Sequence, residues 1–469
     1  MSAVDRFFEI SARQSTLGTE IRGGVVTFIA MAYIIVLNPI ILSGSADVSG
    51  NNLDFAQVSA MTALAAGVMT IVFGLIARLP FAFAAGLGIN SFLATTVVGS
   101  LTWAEAMGLV VINGLIIVLL AVTGLRRLVF DAVPMQLKLA ITAGIGLFIL
   151  FIGLVDAGFI GSTGVPSPPV GLGSGGAGSI STIPTLVFVL TLLITGILVV
   201  RKVRGGILIG LVAGTVIAVV IEAIWHLGSA VDRPGGWSLS VPALSGSPFA
   251  LPDLSLIGEF SLNSFSRIGV LAAVMLVFTL VFANFFDAMG TMTGLSREAG
   301  LSDEKGTFPR LRAALVVEGA GAVVGGATSS SSNTVFIESG AGIGEGARTG
   351  LANLVTGALF LAAMFVSPLA SIVPTEVAAA ALVIVGAMMA SHLRHIDLSE
   401  FSVALPVVLT VAVMPFSYSI ANGIGVGFIA WVVMRTAAGK VREISPLLWV
   451  VAAGFAVYFA RTPLESLLG

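Results

Sequence analysis

The sequence contains no cysteine, only three histidines and few charged residues. Without cysteine, disulfide bonds and thiolate metal sites are excluded. The three histidines, His226, His392 and His395, are too few for a haem or a histidine-rich metal centre, so we expect neither cofactor nor metal. A net charge of −2 gives no indication of a nucleic-acid partner.

Apolar side chains dominate the remaining composition. Of 469 residues, 57% are hydrophobic and 10% are charged, whereas soluble proteins carry about a quarter charged residues. The apolar residues form repeated runs of about 20 residues, the length that crosses a bilayer core as an α-helix. The sequence therefore predicts an all-α polytopic membrane protein with the lipid bilayer as its surroundings.

The apolar runs predict seven spans, a Gly/Pro/Ser-rich loop and seven more spans. The predicted domains are a first repeat at 1–226, an extracellular linker at 227–264, a second repeat at 265–437 and a C-terminal interfacial or cytoplasmic segment at 438–469. The predicted spans are 23–43, 56–77, 83–99, 104–124, 135–155, 183–200, 205–226, 267–293, 309–326, 333–344, 349–367, 375–390, 401–415 and 418–436. A further apolar run at 445–460 is expected to lie along the membrane surface.

Basic residues predict the orientation of these spans. Lys and Arg concentrate in alternate loops, and the other loops hold little that is basic besides Arg233. Because cytoplasmic loops are rich in Lys and Arg, we expect both termini to be cytoplasmic, in the inner (plasma) membrane. An odd number of spans per half requires the second half to insert with inverted orientation.

Two of the predicted spans are broken by residues that do not suit a membrane helix. The third opens with "FAFAAGLGIN" and the tenth follows "GATSSSSNT". Such backbone is tolerated at membrane depth only where protein or a water-filled cavity surrounds it. Broken segments at matching positions of two halves indicate the binding site of a transporter. For the third span we expect a strand and then a half-helix beginning near Asn90, and for the tenth a short helix that carries Glu338.

Three acids lie well inside predicted spans, and such residues usually mark function. Glu338 is the strongest candidate, because its carboxylate can accept hydrogen bonds from the ring N–H or amino groups of a flat heterocycle. Asp287, in "FANFFDAMGT", is a second candidate for substrate binding and for proton coupling. Glu318 is a candidate proton relay, although a bridge between helices explains it equally well.

Uncharged residues near the acids complete the predicted site. Asn90 could contact the ligand or cap a helix, and Gly86 and Gly88 would let a flat ring approach the backbone. Thr291 shares a helix face with Asp287, though its hydroxyl could bond its own backbone instead. Phe28 could stack on a base, but packing against lipid or protein is the more common role of a membrane aromatic.

The segments that carry these residues resemble one known family. They are "TFIAMAYIIVLNPIIL", "AAGLGINSF", "FFDAMGT", "GATSSSSNTVFIESGAG", "ARTGL" and "MPFSYSIANGIGVGF". The set resembles the AzgA-like branch of the nucleobase–cation symporter 2 family, the adenine/guanine/hypoxanthine permeases. The likeness extends from the first span to the last.

The resemblance implies a fold like that of the uracil and xanthine permeases, with 14 spans, two inverted repeats, a core domain and a gate domain. It implies proton-coupled purine uptake, usually by a homodimer. It also implies that Asp287 and Glu338 bind the base and that the motif from Gly86 to Asn90 contributes to the site. The family usually has "APGMGLNAFF" where this chain has Ala85, Leu87, Ile89 and Ser91, which leaves the preferred purine open.

Other functions explain fewer of these features. A uracil/xanthine-type transporter would share the architecture. An anion transporter of the same fold would require a cationic site, which two acids do not favour. An intramembrane serine hydrolase would need a base beside the serine cluster, and the histidines fall in loops or at span ends. A channel would not require paired broken helices. We therefore expect a transporter and not an enzyme, with no catalytic residues.

Overall fold

The structure is a computed structural model. It describes residues 3–125, 132–165, 167–173, 178–238, 240–243, 247, 249–302 and 308–460. Parts of the predicted organisation lie outside these residues. They are the start of the first predicted domain, the end of the last one, and parts of the predicted basic loops near 126–131 and 303–307.

Helices account for most of the described chain. In chain order they are α1 Ala3–Phe8, α2 Leu17–Met31, α3 Ile34–Ser43, α4 Phe55–Ile76, α5 Leu87–Phe92, α6 Trp103–Thr123, α7 Met135–Asp156, α8 Ile183–Val200, α9 Gly206–Trp225, α10 Ser264–Ile268, α11 Val270–Glu298, α12 Leu311–Ala327, α13 Ser339–Gly344, α14 Leu351–Ala363, α15 Thr375–Ala390, α16 Phe401–Phe416, α17 Ile420–Ala437 and α18 Pro446–Phe459. A π-helical turn at Leu93–Val97 extends α5, and 3-10 segments at Met364–Ile372 and Ser391–His395 extend α14 and α15, while a 3-10 turn at Val441–Glu443 precedes α18.

Four short strands complete the part of the fold that the structure describes, and they form two antiparallel pairs. They are β1 Phe83–Ala85, β2 Ile160–Ser162, β3 Val170–Leu172 and β4 Asn333–Val335. The β2–β3 pair lies between α7 and α8, where no strands were predicted, and β1 pairs with β4. The protein is thus a helical membrane protein with two small strand pairs.

The helices agree closely with the predicted spans. Ten helical segments of the described chain are long and apolar enough to cross a membrane, and shorter apolar helices occur at Leu87–Val97, Phe401–Phe416 and Pro446–Phe459. The last of these, α18, has 14 residues and is therefore about 21 Å long, less than the roughly 30 Å of a bilayer core. This length is compatible with the predicted surface position of 445–460.

The first span is one apolar segment made of α2 and α3, broken at Ala32–Tyr33. Pro39 lies inside α3 and has no N–H to donate to the carbonyl four residues earlier. The hydroxyl of Ser59 donates to that carbonyl, Ile35 O, at 3.1 Å. A neighbouring helix thus satisfies the backbone group that proline leaves open, as the absence of water at this depth requires.

Small residues let the helices approach closely. The helices α6 and α12 pack along their lengths, with Gly114 facing Gly319. A methyl group added at Gly114 would lie 2.6 Å from the carbonyl oxygen of Gly319, so the two backbones are in contact. Close packing of this kind replaces the hydrophobic driving force that is missing between helices in lipid.

The contacts divide the helices into two groups that each draw on both halves of the chain. In the first group, α6 packs on α12, and α14 packs on α2 and α4. In the second group, α7 packs on α15 and α16, and α8 packs on α9. The β1–β4 pair belongs to the first group and lies at its centre.

Candidate functional site

The two broken segments meet as a pair of buried antiparallel strands. Phe83 pairs with Val335, Ala84 with Thr334 and Ala85 with Asn333. The pairing continues at both ends, because Gly86 N donates to Ser332 O at 2.9 Å and Phe336 N donates to Ala82 O at 3.0 Å. Each strand thereby supplies the hydrogen bonds that lipid cannot give the other.

The helix that follows each strand begins elsewhere than the sequence indicates. Gly86 is the N-cap of α5, and Asn90 N already donates to Gly86 O at 2.9 Å. The predicted strand followed by a half-helix is therefore confirmed, and the helix begins at Leu87, three residues before Asn90. Glu338 is itself the N-cap of α13, so it stands immediately before the short helix and not within it. The strand pairing, which depends on residues 250 positions apart, determines both starts.

A cavity of about 590 Å³ lies beside the strand pair. This volume is in the usual range for small-molecule sites. It is lined by Tyr33, Gly86, Leu87, Gly88, Met135, Lys138, Leu139, Thr142, Phe286, Asp287, Met289, Gly290, Thr291, Thr293, Gly294, Leu295, Arg297, Glu298, Thr334, Val335, Phe336, Ile337, Glu338, Val385, Met389, His392 and His395. Five predicted site residues are thus brought together: Gly86, Gly88, Asp287, Thr291 and Glu338.

Glu338 is held in the cavity by a tyrosine from the first span. The Tyr33 hydroxyl donates to Glu338 Oε1 at 2.5 Å, and Tyr33 is fully buried. A carboxylate has two oxygens and about four lone pairs. The bond to Tyr33 therefore fixes the side chain and leaves it able to accept hydrogen bonds from a ligand.

The opposite acid comes from α11. Asp287 and Thr291 are one helical turn apart and both line the cavity. Because residues four positions apart lie on the same helix face, the carboxylate and the hydroxyl point to the same space. The cavity thus has acceptors from two different chain segments, α11 and the start of α13.

Glycine at position 88 allows α5 to approach α7 closely. A Cβ added at Gly88 would lie 2.7 Å from Ile145 Cγ2 of α7. A larger residue would separate α5 from α7, and it would narrow the space in which Gly86 and Gly88 line the cavity.

Three predicted site residues lie outside the cavity lining. Asn90 is fully buried within α5. Glu318 is buried behind β4, where its Oε2 accepts from Val335 N at 3.3 Å. Phe28 packs edge-on against Phe360, with ring centroids 5.1 Å apart. Their predicted roles in ligand contact, relay and stacking stay predictions.

The serine cluster supports the site instead of lining it. Ser330, Ser331 and Ser332 are fully buried. Asn38 Nδ2 donates to Ser330 O at 3.0 Å, and Asn284 Nδ2 donates to Ser332 Oγ at 3.0 Å. Asparagines of two neighbouring helices thus bind the unwound chain that precedes β4.

The cavity residues that the second helix group contributes were not predicted from the sequence. Lys138 and Thr142 come from α7, and His392 and His395 come from the 3-10 turns after α15. Only the approach of α7 to α5 brings Lys138 to the site. Tyr33 was also missed as a polar contact, because one tyrosine in an apolar run gives no sign of its partner.

The family model Xan_ur_permease, described as "Permease family", matches residues 18–426. The chain belongs to this permease family. The membership identifies a multi-pass membrane transporter and not an enzyme, and it confirms the resemblance found in the sequence.

Curated relatives match almost the whole chain. It is 38% identical over 462 residues to the guanine/hypoxanthine permease PbuG of Bacillus subtilis, covering 97% of this chain and 98% of the relative. It is 36% identical over 455 residues to the adenine permease AdeP of Escherichia coli, covering 96% and 95%.

Solved structures at low identity share the fold. The transmembrane domain of the cyanobacterial bicarbonate transporter BicA matches with a TM-score of 0.61 at 18% identity, covering 90% of this chain and 97% of that one. The murine anion transporter Slc26a9 in its inward-facing state matches with a TM-score of 0.60 at 11% identity, covering 90% and 69%. These likenesses concern the fold alone.

Proposed function

We propose that this permease imports purine nucleobases, namely adenine, guanine or hypoxanthine, by proton symport across the inner (plasma) membrane. The observation that carries the proposal is the convergence of Glu338, fixed by Tyr33, and Asp287 on one cavity at membrane depth. Several relatives of similar length have names that refer to these bases.

The chemistry of the cavity suits a purine. Carboxyl oxygens accept hydrogen bonds from ring N–H and exocyclic amino groups; Glu338 supplies them as a carboxylate, and Asp287, once protonated, keeps its carbonyl oxygen as an acceptor. The backbone at Gly86 and Gly88 carries no side chain to obstruct a flat ring. The Thr291 hydroxyl can both donate and accept. In this proposal the base lies against α5, between the two acids.

Transport itself requires the site to open alternately to each side. We propose that the 14 spans form two inverted repeats and that the first helix group moves as a core domain against the second, the gate. Asp287 takes up a proton from outside before the base binds, and Glu318 is a relay. Both termini are cytoplasmic, and the protein works as a homodimer.

Uptake into proteoliposomes tests the substrate directly. Purified protein is reconstituted, and uptake of radiolabelled hypoxanthine is measured with an excess of unlabelled adenine, guanine, xanthine, uracil or bicarbonate. We expect saturable uptake that adenine, guanine or hypoxanthine suppresses and that uracil and bicarbonate leave unchanged. Suppression by uracil alone would indicate a pyrimidine transporter, and bicarbonate uptake without purine uptake would indicate an anion transporter.

Tyr33→Phe should weaken substrate binding without stopping transport. The change removes the donor to Glu338 Oε1, so the carboxylate is no longer fixed towards the base. A hydrogen bond to a charged group contributes about 1.5–3 kcal/mol, so we expect KM for the base to rise roughly ten-fold or more while the maximal rate is largely kept. An unchanged KM would show that this tyrosine does not orient Glu338 for the substrate.

A further inference from the structure

The cavity contains one lysine that the proposed binding of the base does not use. Lys138 lines the same cavity as Asp287 and Glu338, and the residue is 9% exposed. Its Nζ lies 5.5 Å from the centre of the Phe286 ring, and Phe286 directly precedes Asp287 in α11. Lys138 therefore reaches the cavity from the other helix group, beside the ring that precedes Asp287.

The position of Lys138 on its helix explains how it reaches the site. Lys138, Thr142 and Ile145 are spaced by four and then three residues, so they share one face of α7. Lys138 and Thr142 line the cavity, and Ile145 meets the backbone at Gly88. Seven residues of helix rise about 10 Å, so this face of α7 extends about 10 Å from the contact of Ile145 with Gly88 to Lys138.

The donors and acceptors around the cavity are complementary. Glu338 as a carboxylate only accepts hydrogen bonds, and Asp287 keeps an accepting carboxyl oxygen when it is protonated, whereas an ammonium only donates them. A ligand that satisfies the acids and the lysine must present N–H groups to the carboxyl oxygens and acceptor atoms to the ammonium. The order of these groups on the ring distinguishes the purines from one another.

A 6-oxopurine presents N7 and O6 as adjacent acceptors, whereas adenine presents the N7 acceptor beside an amino donor. Lysine is a common partner of the N7/O6 pair. The neighbouring N1–H of an oxopurine donates, and a carboxylate accepts from it, while N1 of adenine is an acceptor. The N7 and O6 acceptors of guanine or hypoxanthine therefore match the lysine and their N1–H matches a carboxyl oxygen, whereas adenine has an amino donor in place of O6 and an acceptor at N1.

We infer that Lys138 is a specificity-determining residue that binds O6 and N7 of the base, so that this permease prefers 6-oxopurines to adenine. The inference rests on the proposed function, since it names which purines that same site takes. The second helix group thereby contributes to recognition of the base, and the base contacts both helix groups.

The test compares KM for radiolabelled hypoxanthine and adenine in proteoliposomes. We expect the wild type to have the lower KM for hypoxanthine. Lys138→Met, which keeps the length and loses the donors, should raise KM for hypoxanthine about ten-fold or more and leave KM for adenine nearly unchanged. Lys138→Arg, which keeps a bidentate donor, should restore most of the preference for hypoxanthine.

Matched controls separate this inference from folding and from the proposed function. Lys202→Met removes an exposed lysine and should leave both KM values unchanged. If Lys138→Met does not reach the membrane, Lys138→Leu and Lys138→Arg supply the same comparison. A wild type that prefers adenine, or an equal change for both bases, overturns the role of Lys138 while purine transport stands. A wild type that transports neither base overturns the proposed function itself.

Discussion

Glu338→Gln is expected to abolish purine uptake while the protein still reaches the membrane. Glutamine keeps the size of the side chain, and its amide oxygen can still accept from Tyr33. Its amide nitrogen then points a donor at the base, where the carboxylate offered an acceptor. Removing one partner of a buried, charged hydrogen bond costs about 2–5 kcal/mol, so uptake should fall roughly 30-fold or more.

The control for this change is Glu259→Gln, which neutralises an exposed acid in the loop before α10. It should transport at the rate of the wild type. Both variants are compared at equal protein density, and direct binding of hypoxanthine is measured by calorimetry on the purified proteins. Near-normal uptake or binding by Glu338→Gln would reject Glu338 as the substrate acceptor.

The spans could be predicted from the sequence because the bilayer imposes a simple requirement. A helix must cover the apolar thickness, and polar interruptions such as "SSSSN" before β4 stand out against such runs. The pairing of β1 with β4 follows from the same requirement, since an isolated strand would leave its backbone unsatisfied at this depth.

The contacts within the site could not be predicted in the same way. Glu318 and Glu338 look alike in the sequence, as single acids among small and apolar residues. Their partners distinguish them, because Glu318 accepts from the backbone of Val335 behind β4, whereas Glu338 accepts from Tyr33 and lines the cavity. Tyr33 is 305 residues from Glu338, and no local pattern reports such a contact.

For the same reason, Lys138 could not be predicted as a residue of the site. By position it is a basic residue at the start of a span, where lysines commonly mark the cytoplasmic edge. Only the packing of α7 against α5, seen at Ile145 and Gly88, turns this helix face into a wall of the cavity. The site residues on the broken segments could be predicted from the sequence. Those that the second helix group contributes to the cavity could not.

Asp287→Asn is expected to separate base movement from the proton gradient. Asparagine has the shape of a protonated aspartate but has no proton to exchange. In the proposed mechanism such a variant binds the base and still moves it across the membrane. With one proton per base, an inward gradient of one pH unit should drive about ten-fold accumulation by the wild type and none by the variant.

Two measurements on proteoliposomes distinguish uncoupling from simple loss of function. Accumulation is followed with an imposed pH gradient, and exchange of internal for external base is followed at equal pH on both sides. The variant should lose the first and keep the second. Glu318→Gln tests the proposed relay separately, since Glu318 is buried nearby but does not line the cavity. If Glu318→Gln loses accumulation and Asp287→Asn retains it, the coupled proton is carried behind the strand pair and not in the cavity.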